Sequence, residues 1–372
     1  MFDDRLPEQL GENFNAEVSE TKKFHAMTAA RKQTCPVTVI VPAYNEADCI
    51  ADTINSLLMQ SLAPEAIIVI DDGSTDSTAD ICLALGITVI TPPENTGSKA
   101  GAQNYALSHI KTEYTLAIDA DTTLKEDALE KLFSAMDNPE VVAACGFVIP
   151  QKVNTLWERG RYVEYLMAFT FYKQIQEYYE KPLISSGCFS LFRTEYLQQV
   201  NGWSQRTMAE DMDLTWTAYQ RGKKVRFIPG AICYPIEPHN FHFMRKQLKR
   251  WAHGFIQNVR LHWKGLLKVP FLRSVVMVMC WDASIASIFY LTAIPLLSVT
   301  VSPLFLLGYI IDLPMILVPT LVKAYGRGET GKALTSIPAF LVLRVVNSAI
   351  FLEALFKELV LKRTLTTYEK GH

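Results

Sequence analysis

The 372-residue chain has almost no excess of charge of either sign and no clustered cysteines. Its formal net charge is only -2, so no basic surplus points to a nucleic-acid partner. Its seven cysteines contain no CxxC pair and no metal-type spacing, which argues against a disulfide framework or a zinc site and favours reduced thiols in a cytoplasm. They are Cys35, Cys49, Cys82, Cys145, Cys188, Cys233 and Cys280.

Two further patterns, a signal peptide and a Walker loop, are not recognised in the sequence. The polar and acidic start, MFDDRLPEQLGENFN, does not have the form of a signal peptide, and we expect residues 1–34 to be a tail or a partly helical arm. The glycine-rich stretch NTGSKAGAQN (95–104) lacks the spacing of a Walker loop. Its Lys99 either offers positive charge to phosphates or is a solvated lysine beside a glycine turn.

Short apolar runs alternate with helix-like stretches in the first third of the chain. The runs are 37–41, 66–70, 87–90 and 114–118, and the helix-like stretches are 46–62, 75–85 and 98–111. This alternation predicts a parallel sheet covered by helices on both faces. In such sheets the ligand site lies outside the carboxyl ends of the strands. The motifs PAYNE (42–46), DDGSTD (71–76) and DAD (119–121) each follow a strand, so we expect them to meet at one edge.

Acidic residues supply the candidate chemistry at that edge. In a strand Asp119 and Asp121 would point to the same face, where they either hold Mg²⁺ carrying a diphosphate or are solvated turn acids. Asp72 either accepts hydrogen bonds from a nucleotide base or ribose or belongs to a helix cap formed by its neighbours. Within AED (209–211), Glu210 and Asp211 either include a general base or are acids at a helix N-terminus.

The stretch QLKRW (247–251) places three polar or aromatic groups at helical spacing. Gln247 lies three and four residues before Arg250 and Trp251, so all three share one helix face. An arginine there suits a diphosphate, and an indole suits a sugar ring. The alternative is membrane anchoring, because the surrounding segment 242–263 mixes basic and aromatic residues like an interfacial helix. The aromatic segment 156–179 is a second candidate for a position near the membrane.

The composition becomes strongly apolar after residue 270. The runs 275–297 and 299–322 are each long enough to span a bilayer. The run 337–356 carries Arg344 and Glu353 and is either a third span or a bundle-facing helix. Asp282 and Asp312 also lie within apolar runs, as inward-facing charges or as breaks near the membrane surface. The basic loop 323–332 predicts a cytoplasmic position for itself and, two spans earlier, for the α/β domain.

Taken together and in order, these motifs resemble those of the membrane-embedded, processive family 2 glycosyltransferases, which include the cellulose, chitin, hyaluronan and poly-N-acetylglucosamine synthases. The matching elements are PAYNE, DDGSTD, GSKAGAQN, DAD, SGCFSLFR, AED and QLKRW, read as QxxRW, over roughly residues 36–265. The resemblance implies an α/β, GT-A type, Rossmann-like nucleotide-sugar-binding domain followed by transmembrane helices. It also implies an inverting transfer from a nucleotide sugar, usually a UDP-sugar, to a growing polysaccharide, with Mg²⁺ or Mn²⁺.

The resemblance also implies roles for individual residues. The nucleotide would lie against Ala43, Tyr44, Glu46, Asp72, Lys99 and Asp119. Asp121, with Asp119, would hold the metal. Asp211, beside Glu210, would be the general base, and Gln247, Arg250 and Trp251 would close over the diphosphate and the acceptor sugar. Gly187 and Cys188 would line the acceptor site together with Trp251.

From the resemblance and the apolar runs we expect a tail (1–34), a GT-A domain (35–240), an interfacial QxxRW segment (241–270) and a membrane domain (271–372) in an inner or plasma membrane. Few spans follow the catalytic domain, so a polymer channel would require a homo-oligomer or a partner subunit. Two other functions remain open: addition of one sugar to a polyprenyl phosphate or glycolipid, and nucleotide binding by a non-catalytic receptor or scaffold.

Overall fold

The computed structural model describes residues 33–366. The expected tail 1–34 lies outside these residues except at its end, where Thr34 already belongs to the first strand. The strands are β1 Thr34–Ala43, β2 Ala63–Asp71, β3 Thr88–Ile90, β4 Tyr114–Ile118, β5 Thr122–Leu124, β6 Val141–Val148, β7 Phe189–Arg193 and β8 Lys224–Pro235.

All eight strands form one sheet in the order β3-β2-β1-β4-β7-β6-β8-β5. The first four are parallel, which confirms the parallel arrangement predicted for the four apolar runs. Beyond β4, where no strand was predicted, the sheet is mixed, because β7 runs antiparallel to both β4 and β6, and β5 is antiparallel to β8. Strand β8 escaped prediction because its apolar residues are interrupted by Pro229 and Gly230. Strand β6, an uninterrupted apolar run, was also missed.

Helices cover the sheet and continue beyond it. They are α1 Ile50–Leu58, α2 Thr78–Ala84, α3 Lys99–Leu107, α4 Ala128–Ser134, α5 Leu156–Met167, α6 Lys173–Tyr178, α7 Thr194–Gln199, α8 Glu210–Gln220, α9 Phe241–Leu266, α10 Pro270–Trp281, α11 Ile294–Thr300, α12 Leu313–Gly326 and α13 Thr330–Leu355. The first three are shorter than the helix-like stretches 46–62, 75–85 and 98–111 from which they were predicted. Two apolar clusters on the faces of the sheet form the core, which fits a sheet buried on both sides.

The mixed sheet decides which loops lie at the edge of the candidate site. Ile118 at the end of β4 pairs with Phe189 at the start of β7, so the loop before β7 lies beside the carboxyl end of β4. Strand β8 is parallel to β6 and its carboxyl end, at Pro235, pairs with Thr122 at the start of β5. The segment after β8 therefore also reaches this edge.

Three segments near the C-terminal end of the described chain are long and apolar enough to cross a membrane: Pro270–Thr300, Pro303–Gly326 and Thr330–Val360. The third also faces a bundle, because a Cβ on Gly160 of α5 would lie only 3.0 Å from the carbonyl oxygen of Ala339 in α13. The two readings of this segment are therefore compatible.

Asp312 of the second apolar segment and Arg344 of the third pair with each other. Arg344 of α13 donates from Nη1 to Oδ1 of Asp312, the residue directly before α12, at 2.9 Å. Asp312 also accepts from the Tyr290 hydroxyl at 3.4 Å, and the Arg344 guanidinium lies 4.8 Å from the Tyr290 ring centroid. Pairing within the protein is the usual solution for charges placed in apolar surroundings.

Candidate active site

The strand-end motifs meet at one edge, as predicted, but the DAD acids do not continue a strand. Asp119 and Asp121 lie in the turn between β4 and β5, which is closed by a hydrogen bond from the Thr122 N–H to the Asp119 carbonyl. The expectation of a shared strand face is therefore wrong. The chain turns here because the next strand, β5, pairs antiparallel with β8 and does not continue β4.

Lys99 connects two of the predicted motifs. It is the first residue of α3, whose N-cap Ser98 accepts from the Gly101 N–H at 3.1 Å. Its ammonium group forms an ion pair with Asp119 and donates to the Gly187 carbonyl at 2.9 Å. The glycine-rich loop is thus joined to both the DAD turn and the loop before β7, and Lys99 is not a solvated lysine.

Asp211 is held at the same place by backbone donors. Its Oδ2 accepts from the Gly187 N–H at 3.0 Å, and its Oδ1 accepts from the Met212 N–H at 2.8 Å. A Cβ on Gly187 would lie 3.1 Å from Asp211 Oδ2 and 3.4 Å from Lys99 Nζ. Glycine is therefore the residue that permits this close approach. Cys188 follows it and accepts from the Asp119 N–H at 3.3 Å.

Glu210, beside Asp211 in the first turn of α8, has a perturbed acidity. Burial, with the neighbouring charge of Asp211, raises the pKa of Glu210. The charges of Lys99 and Arg250 act in the opposite direction. Arg250 of the QLKRW stretch therefore lies close enough to Glu210 to influence its charge.

Hydrogen bonds connect the PAYNE loop, at the end of β1, with the DDGSTD loop and the helix after it, at the end of β2. The Asp72 N–H donates to the Ala43 carbonyl at 2.9 Å, and the Glu46 N–H donates to Thr78 Oγ1 at 2.8 Å. Tyr44, between them, is 45% exposed. The alternative of a helix cap is met in part: Asp76 accepts from the N–H of Thr78, the first residue of α2, at 3.0 Å, while the N-cap residue Ser77 makes no side-chain cap hydrogen bond.

Asp72 itself is buried and points to the glycine-rich loop. Its two carboxylate oxygens accept from the N–H and the hydroxyl of Thr96, each at 2.8 Å. Each carboxylate oxygen has two lone pairs, so further donors can be accommodated. The sequence did not predict this contact with Thr96.

The QLKRW stretch lies on α9, which confirms the predicted helix over 242–263 with slightly wider bounds. Gln247 accepts from Arg161 of α5 at 2.6 Å, and the Arg161 guanidinium lies 4.5 Å from the Trp251 ring centroid. Gln247 also donates to Glu237, just beyond β8, at 3.4 Å. Sequence reasoning missed Arg161 and Glu237. The one signal for Arg161 was a cation inside the aromatic segment 156–179.

The acids suit a divalent cation by chemistry but do not form a cage for one. Among residues 33–366 no group of three or more His, Cys, Asp or Glu side chains lies together so as to hold a metal. Mg²⁺ and Mn²⁺ favour oxygen ligands, and Mg²⁺ is commonly held by one or two carboxylates plus substrate phosphates. Asp119 and Asp121 offer carboxylates of this kind, so the donor set fits.

Comparison with known proteins adds a family to this geometry. Residues 38–200 match the model of glycosyl transferase family 2. The chain is 27% identical over 223 residues to a poly-β-1,6-N-acetyl-D-glucosamine synthase of Staphylococcus aureus, covering 59% of this chain and 54% of that protein. A synthase of the same name from Staphylococcus epidermidis matches to the same extent. The chain thus spans about half the length of the curated relatives it matches.

Among solved structures, a mannosyltransferase from Pyrobaculum calidifontis, in complex with GDP-Man and Mn²⁺, shares the fold with a TM-score of 0.55. Its sequence is 20% identical, and the match covers 96% of this chain and 100% of that one. The expected fold class, a GT-A type α/β domain followed by apolar helices, is confirmed. Residues 38–200 therefore lie in a glycosyl transferase family 2 domain, and the chain is homologous to poly-β-1,6-N-acetyl-D-glucosamine synthases.

Proposed function

We propose that this protein is an inverting membrane glycosyltransferase that moves a sugar from a UDP-sugar to a growing polysaccharide. The observation that carries the proposal is the meeting of Lys99, Gly187 and Asp211 at the carboxyl edge of the sheet. This place combines a cation that can bind phosphates, a carboxylate that can take a proton, and a glycine backbone that lies close to both. The names of the homologous synthases support a polysaccharide product.

The donor occupies the part of the edge formed by the first strands. Ala43, Tyr44, Glu46 and Asp72 surround the base and ribose. Lys99 carries a positive charge to the diphosphate and, through Asp119, connects that charge to the metal-binding turn. Asp121 and Asp119 would hold a divalent cation, which when bound would supply positive charge near the leaving diphosphate.

The acceptor enters from the side of the loop before β7, past Gly187 and Cys188. Asp211 takes the proton from the acceptor hydroxyl as its oxygen attacks the anomeric carbon, and the nucleotide diphosphate leaves from the opposite face. The Gly187 and Met212 N–H groups fix the orientation of the Asp211 carboxylate for that transfer. Arg250 adds positive charge near the leaving group, and Trp251 offers its ring to the acceptor sugar. A single displacement inverts the anomeric centre and requires no covalent enzyme intermediate.

The same proposal places the α/β domain in the cytoplasm, with three helical segments crossing the membrane. Residues 35–240 are the catalytic domain, 241–270 the interfacial segment and 271–372 the membrane domain. The loop between the second and third segments contacts the catalytic domain, since the Tyr162 hydroxyl donates to Glu329 at 3.1 Å. Lys323 also lies 4.6 Å from the ring centroid of Phe147. Both contacts support a common side of the membrane for the loop and the domain, as the positive-inside rule predicts.

The test is turnover by the purified protein in nanodiscs with a panel of UDP-sugars and Mg²⁺ or Mn²⁺. UDP-N-acetylglucosamine is the first donor to examine, because of the names of the relatives. We expect UDP release together with a ladder of long products. One added sugar on a lipid would support transfer to a polyprenyl phosphate or glycolipid instead. Tight UDP binding without release for any donor would support the non-catalytic reading.

A further inference from the structure

Arg161 is a fully buried cation outside the predicted motifs, and it contacts the QxxRW segment twice. It lies on α5 with 0% of its side chain exposed. Its Nη2 donates to Gln247 Oε1 at 2.6 Å, and its guanidinium carbon lies over the Trp251 ring, 4.5 Å from the centroid. Two residues of one motif are thus held by different parts of one side chain.

The charge of Arg161 is balanced within the same cluster. It forms an ion pair with Glu164 on its own helix, and its Nε lies 3.4 Å from Glu237 Oε2. Tyr165 donates its hydroxyl to Glu237 Oε1 at 2.7 Å, which fixes that carboxylate. Burial alone would lower the pKa of Arg161, but the negative charges of Glu164 and Glu237 outweigh it and raise that pKa. The guanidinium therefore stays charged and keeps its direction.

Trp251 remains partly accessible despite this contact. The residue is 38% exposed, while the guanidinium lies over its ring. A cation held against one side of an indole restricts the ring without filling the space in front of it. The exposed part of the ring is free to stack against a pyranose ring of an acceptor.

The helix that carries Arg161 also contacts the membrane segment. Glu164 Oε1 accepts from Asn347 of α13 at 3.3 Å, and Gly160 lies against the backbone of Ala339 in the same helix. Helix α5 is therefore fixed by α13 on one side and fixes α9 on the other. Trp251 is held relative to the apolar helices as well as to the α/β domain.

We propose that Arg161 is a positioning residue that sets the orientation of Trp251 and Gln247 for the sugar ring at the acceptor end of the glycan. This inference rests on the proposed function and deepens it. Arg161 acts through the two residues that it contacts and does not itself touch the reacting atoms. Loss of its geometry should weaken acceptor binding more than donor binding, because the donor contacts lie on the other strand-end loops.

The test is the variant Arg161→Lys, which keeps the charge and removes the planar group that donates and stacks together. The acceptor probe is a set of short oligomers of the sugar that the donor panel identifies. We expect the KM for the acceptor to rise about tenfold, with the KM for the UDP-sugar and kcat within about twofold of the wild type. Equal changes in both KM values, or no change, would overturn the proposal.

Arg193→Lys is the matched control. Arg193 is an arginine of the α/β domain that is partly buried, with 18% of its side chain exposed, and it donates to backbone carbonyls including Val141 O at 2.9 Å. It lies at the carboxyl end of β7, and thus at the opposite edge of the sheet from the site. This variant should leave the KM for the acceptor unchanged even where it lowers thermal stability.

A double-mutant cycle separates positioning from general destabilisation. In a Trp251→Leu background, Arg161→Lys should raise the KM for the acceptor by a smaller factor than in the wild-type background, because one of its two targets is gone. Additive effects would contradict the proposal. Should Arg161→Lys fail to fold, Glu164→Gln loosens the guanidinium without removing it and should raise the same KM to a smaller extent.

A spectroscopic measurement distinguishes failure of this inference from failure of the proposed function. The measurement is acrylamide quenching of the Trp251 fluorescence, which reports access to the indole without turnover. The Trp251 fluorescence is obtained as the difference between each protein and the same protein carrying Trp251→Phe. We expect stronger quenching in Arg161→Lys than in Arg193→Lys. Equal quenching in both variants would overturn the positioning role, whatever the donor panel shows.

Discussion

The backbone N–H of Gly187 donates to Asp211 Oδ2 at 3.0 Å and so ties the loop before β7 to the first turn of α8. On its other side the Gly187 carbonyl accepts from Lys99 Nζ at 2.9 Å. One peptide segment without a side chain therefore sets the spacing between a carboxylate and an ammonium group. In the proposed reaction these two groups serve the acceptor and the donor respectively.

Gly187→Ala should disturb this spacing directly. Its Cβ would lie 3.1 Å from Asp211 Oδ2 and 3.4 Å from Lys99 Nζ, so at least one of the two groups must shift. We expect kcat to fall about ten- to a hundredfold, because displacements of this kind misalign reacting groups. UDP release measures the effect.

Gly331→Ala is the control for the glycine substitution. A Cβ on Gly331, in the first turn of α13, meets nothing within 4 Å, and the backbone there is compatible with alanine. Its UDP release should match that of the wild type. If Gly187→Ala also does so, the close approach is not needed for turnover.

Glu210→Gln should raise stability at neutral pH and leave it unchanged in acid. Burial and the charge of Asp211 raise the pKa of Glu210, so the folded state binds its proton more tightly than the unfolded state does. Stability from this group is therefore present below the unfolded value near 4.5 and is lost as pH rises through the folded value. Glutamine has no proton to lose in this pH range, so the variant does not lose stability in this way as the pH rises.

The measurement is the thermal midpoint in detergent at pH 7 and near pH 4 for Glu210→Gln and for Glu65→Gln, an exposed acid on β2. The Glu210 variant alone should gain stability at pH 7. A loss at pH 7 would show that the negative charge of Glu210 stabilises the fold, contrary to this account.

We expect each charge of the Arg344–Asp312 pair to matter for thermal stability mainly as the partner of the other charge. Arg344→Leu or Asp312→Leu alone leaves one charge in apolar surroundings, so each should lower the thermal midpoint by about 2–4 °C or more. The double variant should lose less than the sum of the two, because neither charge remains. Melting curves of the three variants in one detergent test this. Additive losses would mean that the two side chains do not interact.

The sequence predicted the donor half of the candidate site better than the acceptor half. Strands β1, β2 and β4 are continuous apolar runs, and the acids that follow them are visible as abrupt changes of character. Their parallel pairing then places Lys99, Asp72 and Asp119 at one edge without further information. The roles of these residues stay predictions.

The acceptor half depends on contacts that local patterns do not encode. Arg161 meets Gln247 across 86 positions, and Glu237 reaches the cluster because β8 is parallel to β6. An arginine in an aromatic helix is most often a surface residue, so its full burial becomes visible only when α5 packs against α9. The turn at Asp119 and Asp121 also follows from strand pairing and not from the residues themselves.

The most direct test of the central claim is the variant Asp211→Asn, assayed for both UDP release and UDP binding. The amide keeps the size of the side chain and the acceptor oxygen for one backbone N–H, but it cannot take a proton. We predict that UDP release falls by about a hundredfold or more while the Kd for UDP stays within about threefold of the wild type. Asp137→Asn, at an exposed position, should change neither. Sugar transfer by the Asp211 variant at the wild-type rate would contradict the assignment of the base and with it the proposed mechanism.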